Sequence, residues 1–293
     1  RDSSTSRGLG DVYKRQVGWC RYDGQAAVFN DCHGGTVYCL ASYDAGSKKL
    51  VTLSHPFSVD VDSAKMEFYE PEKETEDVVL FSKFGMIGEF FLGRMVGGVF
   101  EGSRSPGFEH PDTLFRIKDM PLRLCTAVRV DSTKTYRYVR YFGPRGGFGN
   151  VSEVGFYSSW ADTEPLKGDI LGPQEGAHGS HSYFNVFDGH TDTSYDYPFA
   201  DGGWAGLDLG ERKHIGKIVY TPRNRDNFVR KGDLYELLVC REGTWVPFAR
   251  QIATADSLLF QGVPKHALLL LRDLSRGEAE RLFEYKDGKQ VYW

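Results

Sequence analysis

No stretch of this chain repeats its apolar residues at three- and four-residue spacing for long enough to make a packed helix. What recurs is a short run rich in Val, Tyr, Phe and Leu, closed by Gly, Pro, Asp or Asn. The runs read "QAAVFN", "TVYCLASY", "KLVTLS", "EDVVLFSKF", "GGVFEGS", "LRLCTAVRV", "YRYVRYFG" and "SEVGFYSS". They continue as "WAGLDLG", "HIGKIVYTPR", "DLYELLVC", "TWVPFARQ" and "HALLLLRDL". β-Branched and aromatic side chains suit a pleated, half-buried surface, and the bounding residues supply turn conformations. Only "ATADSLL" and "SRGEAERLFE" read as one or two helical turns. Many short strands at near-regular spacing predict an all-β chain of antiparallel β-sandwiches.

A weak internal repeat divides the chain. In each copy a strand carries an aromatic–Glu pair (Phe100-Glu101, Tyr235-Glu236), and a later strand ends in Arg (Arg140, Arg272). An Arg-Gly turn and a strand ending in Tyr157 or Tyr285 follow. The repeat predicts tandem sandwiches over 58–159 and 160–293, joined through "SSWADTEPLKGD" and preceded by a β-meander over 17–57. Residues 1–16 are set aside. Asp11 to Gln16 is what GAT-GTG-TAT-AAG-AGA-CAG encodes, which resembles a transposon-end adapter, so this tail is expected to be non-native and the chain a fragment of a longer protein.

Composition narrows the function. The net charge is −4 and no basic run exists to track phosphates, which argues against nucleic acid as partner. The longest apolar run, Ala267 to Leu271, is far short of the roughly 20 residues a membrane-spanning helix needs. The five cysteines (Cys20, Cys32, Cys39, Cys125 and Cys240) fit no zinc spacing and read as small buried hydrophobes, with one disulfide open among the first three.

"FDGHTDTSYDY", then "GGWAGLDLGERKHIGKIVYTPRNRDN", then "GDLYELLVCREGTWVPFARQ" together resemble the discoidin, or coagulation-factor type C, family. An Asp-Gly…Thr loop, an "LDLG" strand, an Ile-rich strand into Pro-Arg and a Tyr-Glu strand occur in the family's order between Asp188 and Glu236. His190 and Tyr195 stand where that family often has Asp or Asn and Trp. The resemblance implies a galactose-binding-like jelly roll, carbohydrate recognition, and a secreted, cell-surface or periplasmic setting. It extends to the C-terminal parts of long secreted proteins of gut bacteria, some carrying an upstream transglutaminase-like catalytic domain. It also implies a structural Ca2+ on the Asp188–Thr193 loop. Asp188, Thr193 and Glu280 would stand among the roughly six to eight oxygen ligands such a cation takes. The competing reading of that loop is a plain Asx turn.

The loop 222–233 is the expected ligand site. Arg223, Asn224, Asp226, Asn227 and Arg230 offer planar donors and acceptors that match vicinal hydroxyls. Phe228, Tyr195 or Tyr197 would supply an apolar platform. The alternative is a structural loop in which Arg223 pairs with Asp226 or Asp208. Trp204 and Trp245 read as core or rim residues. Catalytic signatures are weak. Cys32-His33 sits against Gly34-Gly35 as a turn, "GGFGNVSEVG" lacks the helix a dinucleotide loop needs, and His178, His181 and His190 read as surface residues. The expectation is a non-catalytic binding module for a glycan or other cell-surface ligand. The alternative is a spacer or docking module for the upstream domain.

Overall fold

A computed structural model of the chain describes residues 6–11, 16–21, 28–29, 32–43, 50–83, 91–276 and 282–292. The protein is all-β, built of antiparallel sheets, and divides into two compact units. The first unit comprises 1–85 and 231–293, and the second comprises 86–230.

The first unit opens with β1 (Ser6–Asp11), β2 (Gln16–Arg21), β3 (Val37–Tyr43), β4 (Leu50–Leu53), β5 (Phe57–Asp60), β6 (Lys65–Phe68) and β7 (Thr75–Leu80). The second contains β8 (Val99–Ser103), β9 (Asp112–Arg116), β10 (Thr126–Arg129) and β11 (Thr135–Phe142), then β12 (Glu153–Tyr157), β13 (Asp169–Leu171), β14 (Trp204–His214) and β15 (Lys217–Thr221). The chain then returns to the first unit as β16 (Leu234–Arg241), β17 (Thr244–Ile252), β18 (Leu258–Pro264), β19 (Leu268–Asp273), β20 (Leu282–Lys286) and β21 (Lys289–Tyr292).

In the second unit a five-stranded sheet, β13-β14-β11-β8-β9, is accompanied by a three-stranded sheet, β10-β15-β12. Phe100 links their inner faces. Its ring lies 5.3 Å from Tyr141 in its own sheet, and 5.3 Å from Tyr220 and 6.2 Å from Phe156 in the other. Val139, Leu207, Val154 and Ile218 complete this core. Each large apolar side chain so buried contributes about 2–3 kcal/mol.

In the first unit β16 lies between β17 and β19, within the sheet β17-β16-β19-β20-β21. Tyr235 to Cys240 are all buried, so both faces of this strand are covered, which explains its continuous apolar sequence. A core cluster joins Leu238, Leu268 and Leu270 to Val37 and Tyr69 of the N-terminal part, with Trp245 packed against it. β7 pairs with β18, which binds the two chain segments together.

Several expectations are corrected. The boundary at 159/160 falls inside the second unit, because β14 pairs with β11 and β15 pairs with β12 and β10. In place of tandem sandwiches, one unit interrupts the sequence of the other. Within the first expected sandwich, β7 lies in the first unit, whereas β12, which ends in Tyr157, lies in the second. Within the tail expected to be non-native, β1 pairs with β2 and β3, which bears on its conformation and not on its origin. An open sheet edge accepts any extended backbone, whatever its side chains. The helical reading of "ATADSLL" fails, since Leu258 and Leu259 begin β18. "SRGEAERLFE" ends in β20, and its 277–281 portion lies outside the described residues, as does most of "QAAVFN". Cys125 is exposed and Cys32 half-buried, so not every cysteine is a core residue.

The first unit holds a buried ion pair: Lys83 Nζ lies 3.0 Å from Asp273 Oδ2, with both side chains 1% exposed. Asp273 Oδ1 also accepts the backbone N–H groups of Ser275 and Arg276, at 3.0 Å each. Replacing Lys83 with Met strands the carboxylate, so Lys83→Met is expected to cost roughly 3 kcal/mol or more in urea denaturation. A loss below about 1 kcal/mol would show that the carboxylate is satisfied without the lysine.

Candidate functional site

The strands of the second unit send two sets of loops to opposite ends of the sandwich. One end follows from β11 finishing opposite the start of β14, and β15 finishing opposite the start of β12. It gathers the loops 143–152, 188–203 and 222–230, with Tyr195 bridging to Val151 and Phe148 N–H donating to Ala200 O at 3.1 Å. All the sequence-predicted site residues within the described structure lie here.

Most of them are consumed internally. Arg223 donates to Asp196 Oδ2 at 2.5 Å, in place of Asp226 or Asp208. Asp196 Oδ1 accepts from Asn150 Nδ2 at 2.6 Å, and Asn150 Oδ1 accepts from Arg94 at 3.0 Å. The Phe91 ring is faced by Arg223 at 4.4 Å, Arg225 at 5.1 Å and Arg94 at 5.3 Å. Asn224 is buried, its amide donating to the Thr191 and Pro222 carbonyls at 2.9 Å each. Arg230 pairs with Asp226 and reaches Thr191 Oγ1 at 2.6 Å. Asn227 is buried. The platform role fails on burial: Phe228 packs on Leu92 and Leu124, while Tyr195 and Tyr197 belong to the main core. Only Arg225 of this loop is exposed, held with Asp226 in the left-handed region at φ 52° and 60°.

The Asp188 loop takes the Asx-turn geometry. Asp188 Oδ1 accepts from the His190 N–H at 2.8 Å, and both its oxygens accept from Thr193 Oγ1, at 3.1 and 2.9 Å. Glu280, the expected third ligand, lies outside the described residues. A different carboxylate is present. Glu153 Oε2 accepts from the Gly189 N–H at 3.1 Å, and burial together with the neighbouring Asp188 charge pushes the Glu153 carboxyl up to about 8. Among the described residues no group of three or more His, Cys, Asp or Glu could hold a metal. A hard cation, however, also takes hydroxyl and carbonyl oxygens. The oxygens here are those of Asp188, the Thr193 hydroxyl, the His190 carbonyl and Glu153, and a Ca2+ at this loop would compete with a proton for Glu153.

This carboxyl sets a pH dependence. The folded-state pKa lies above the ordinary 4.5, so the native protein binds the extra proton between about pH 4.5 and 8, and stability falls as pH rises through that window. The melting temperature is expected to drop between these limits and to do so less in Glu153→Gln. Calcium should raise it at the alkaline end in the wild type and not in Asp188→Asn. A melting temperature indifferent to calcium in the wild type would remove the cation from this loop.

The opposite end carries an open groove of about 460 Å3. One wall is the loop 104–111 between β8 and β9, and the other is the turn that leads into β11. Its floor is the Tyr136 ring laid against Gly102, where a Cβ would stand 2.6 Å from the ring. The Tyr136 hydroxyl is within 2.9 Å of Ser132 Oγ, and burial pushes its ionisation up. Lys134 Nζ lies 2.6 Å from Asp112 Oδ1, which holds that carboxyl below the usual range. The Ser105 hydroxyl, hydrogen-bonded to Glu109, does the same for the latter. Arg104 and His110 complete the lining.

Phe108 anchors this loop. Its backbone is left-handed, at φ 52°, and its side chain is buried 6.0 Å from Trp204 and 6.4 Å from Tyr138. The Arg140 guanidinium stacks on it at 4.1 Å and pairs with Glu101 across β8 and β11 at 2.7 Å. Sequence reasoning passed over these residues because "GSRSPGFEHPD" reads as punctuation between strands. Its density of Arg, Glu, His and Asp was the available signal. Phe108→Ala is expected to cost about 3 kcal/mol, and to loosen the groove while the Arg94–Asn150–Asp196 network stays intact. Hydrogen exchange of 104–111 against 222–230 separates the two ends.

Cys32-His33 precedes a turn at Gly34-Gly35, with His33 N–H donating to Tyr38 Oη at 2.7 Å. Cys240 is buried and its thiol is pushed up to about 11 by that burial. The chain matches no family model, no curated protein and no solved structure.

Proposed function

We propose that this chain is a non-catalytic binding module that recognises carbohydrate, and that the Arg104–Lys134 groove of the second unit is where it does so. The observation that carries this reading is the groove itself. Hydrogen-bond donors and acceptors of both signs line an open floor, and sugar hydroxyls can satisfy both because each donates and accepts. A volume near 460 Å3 lies within the roughly 300–1,000 Å3 typical of small-ligand sites. The five-plus-three sheets agree with a galactose-binding-like sandwich, the fold that the discoidin resemblance implies. Three of the four motif elements lie in this unit, and the Tyr235-Glu236 strand lies in the first. A secreted or cell-surface setting and a structural Ca2+ belong to the same reading, as does service to a catalytic partner domain.

A second reading has its own support. The burial of Arg223, Asn224, Asn227 and Phe228 is what a rigid spacer or docking module would show at a loop that binds nothing.

Screening the full chain on a glycan array decides between them. Retention that is lost in Arg104→Ala and kept in Arg225→Ala is expected for a carbohydrate module using the groove. Absence of retention on any glycan would leave the spacer reading.

A further inference from the structure

We infer that the ligand of the Arg104–Lys134 groove is an acidic sugar, one carrying a carboxylate on one side and vicinal hydroxyls on the other. This rests on the carbohydrate reading above and specifies its chemical class.

The charges in the groove are unequally engaged. Lys134 and Asp112 neutralise one another at 2.6 Å. Arg104 makes no hydrogen bond or ion pair with any described residue, although its charge helps hold the Asp112 carboxyl low. Its guanidinium is therefore a planar, exposed donor beside an already neutralised pair, with its own counter-charge absent. Glu109 is held ionised by the Ser105 hydroxyl, and no ion pair joins it to Arg104. The groove thus offers a cation with no hydrogen-bonded partner among the described residues and, separately, a carboxylate held by a neutral hydroxyl.

A neutral sugar would satisfy Glu109 through a diol but would leave Arg104 facing hydroxyl oxygens. A uronic acid satisfies both. Its carboxylate takes the guanidinium through two parallel N–H···O bonds, and its ring hydroxyls donate to Glu109. A simple anion such as phosphate would meet Arg104 but would bring no ring hydroxyls for Glu109 to accept from, so charge alone does not account for the lining. The Tyr136 ring under Gly102 sets the depth, and the Phe108 anchor fixes the wall that carries both Arg104 and Glu109.

The test is calorimetric titration of the full chain with an oligogalacturonide, with a neutral galacto-oligosaccharide of equal length, and with an oligoglutamate peptide of equal charge. The oligogalacturonide is expected to bind at least about tenfold more tightly than either comparator, and less tightly as salt is raised. Arg104→Ala should bring it down to the level of the neutral sugar, and Arg104→Lys should retain part of the preference. Glu109→Gln should weaken both sugars. Arg104 is exposed, so unchanged melting of its variants verifies that they fold. Equal binding of acidic and neutral sugars overturns the acidic class and leaves the carbohydrate reading standing, whereas indifference to Arg104→Ala overturns the acidic class and also takes the sugar site away from this groove. Equal binding of the peptide shows a groove that reads charge alone and likewise overturns it. No binding of any sugar, neutral ones included, overturns both.

Discussion

The cross-strand pair Glu101–Arg140 holds the second unit's open end in shape. The two residues are direct partners in the β8–β11 register, each side chain is only 14% exposed, and Arg140 makes contacts at 2.7 and 2.8 Å to one carboxylate oxygen. A pair this sheltered is worth more than a surface ion pair, yet it also carries a desolvation cost. Stacking offsets that cost: the same guanidinium lies over Phe108, Phe142 and Trp204 at 4.1, 4.8 and 5.4 Å. Arg140 is in this way the link between a regular sheet and an irregular loop. The loop 104–111 is rich in polar residues, and Phe108 is its buried apolar contact with the sandwich. Every side chain on that wall of the groove inherits its position from this contact.

The first unit repeats the pairing. Glu236 and Arg272 are register partners in β16 and β19, at 3.9 Å, and Glu236 is also reached by Arg250 at 2.7 Å. The aromatic–Glu and terminal-Arg pattern that suggested a repeat therefore corresponds to one shared two-strand device, a carboxylate answered across the ladder by an arginine. It does not extend to whole domains. The chain leaves the first unit after Lys83 and re-enters at 231, and both points are fastened within that unit. Lys83 is buried on Asp273, Ser82 lies 2.8 Å from the Tyr292 hydroxyl, and Gly232 N–H donates to Ala253 O at 2.8 Å. With its two ends held, the intervening sequence can be long at little entropic cost, because loop-closure entropy grows only logarithmically with length.

This arrangement explains what the sequence disclosed and what it withheld. Runs such as "YRYVRYFG" and "HIGKIVYTPR" became β11 and β15 because alternation and turn punctuation are local properties. β9, β13 and β18 went unrecognised, since "DTLFR", "DIL" and "LLFQGVP" are short, mixed or glycine-interrupted, and their extended form is dictated by the strands they pair with. The division into units was illegible for the same reason. Nothing in β7 says that its partner is β18, some 180 residues away by the Val79–Leu259 register. The Asp188–Thr193 turn was legible as an Asx motif, but its neighbour Glu153 was not, because β12 and the loop meet only in the folded protein.

The two ends of the second unit show why a list of polar residues cannot identify a binding site. The loop 222–230 carries six Arg, Asn and Asp residues, and the loop 104–111 carries only Arg104 and Glu109 of those kinds. In the first, Arg223, Arg230 and Asn224 find acceptors within the chain. Arg223 meets Asp196, Arg230 meets Asp226, and Asn224 meets two carbonyls, while Phe91 sits between the guanidiniums. A ligand would have to displace these bonds and would gain little net free energy, since exchanging one buried hydrogen bond for another is nearly neutral. In the second, Arg104 and Glu109 are exposed and no hydrogen bond joins them, and the exposed bond that holds Glu109 comes from the Ser105 hydroxyl. Recognition chemistry is thus favoured where the folded chain leaves its own charges unanswered, and burial, rather than composition, decides where that is.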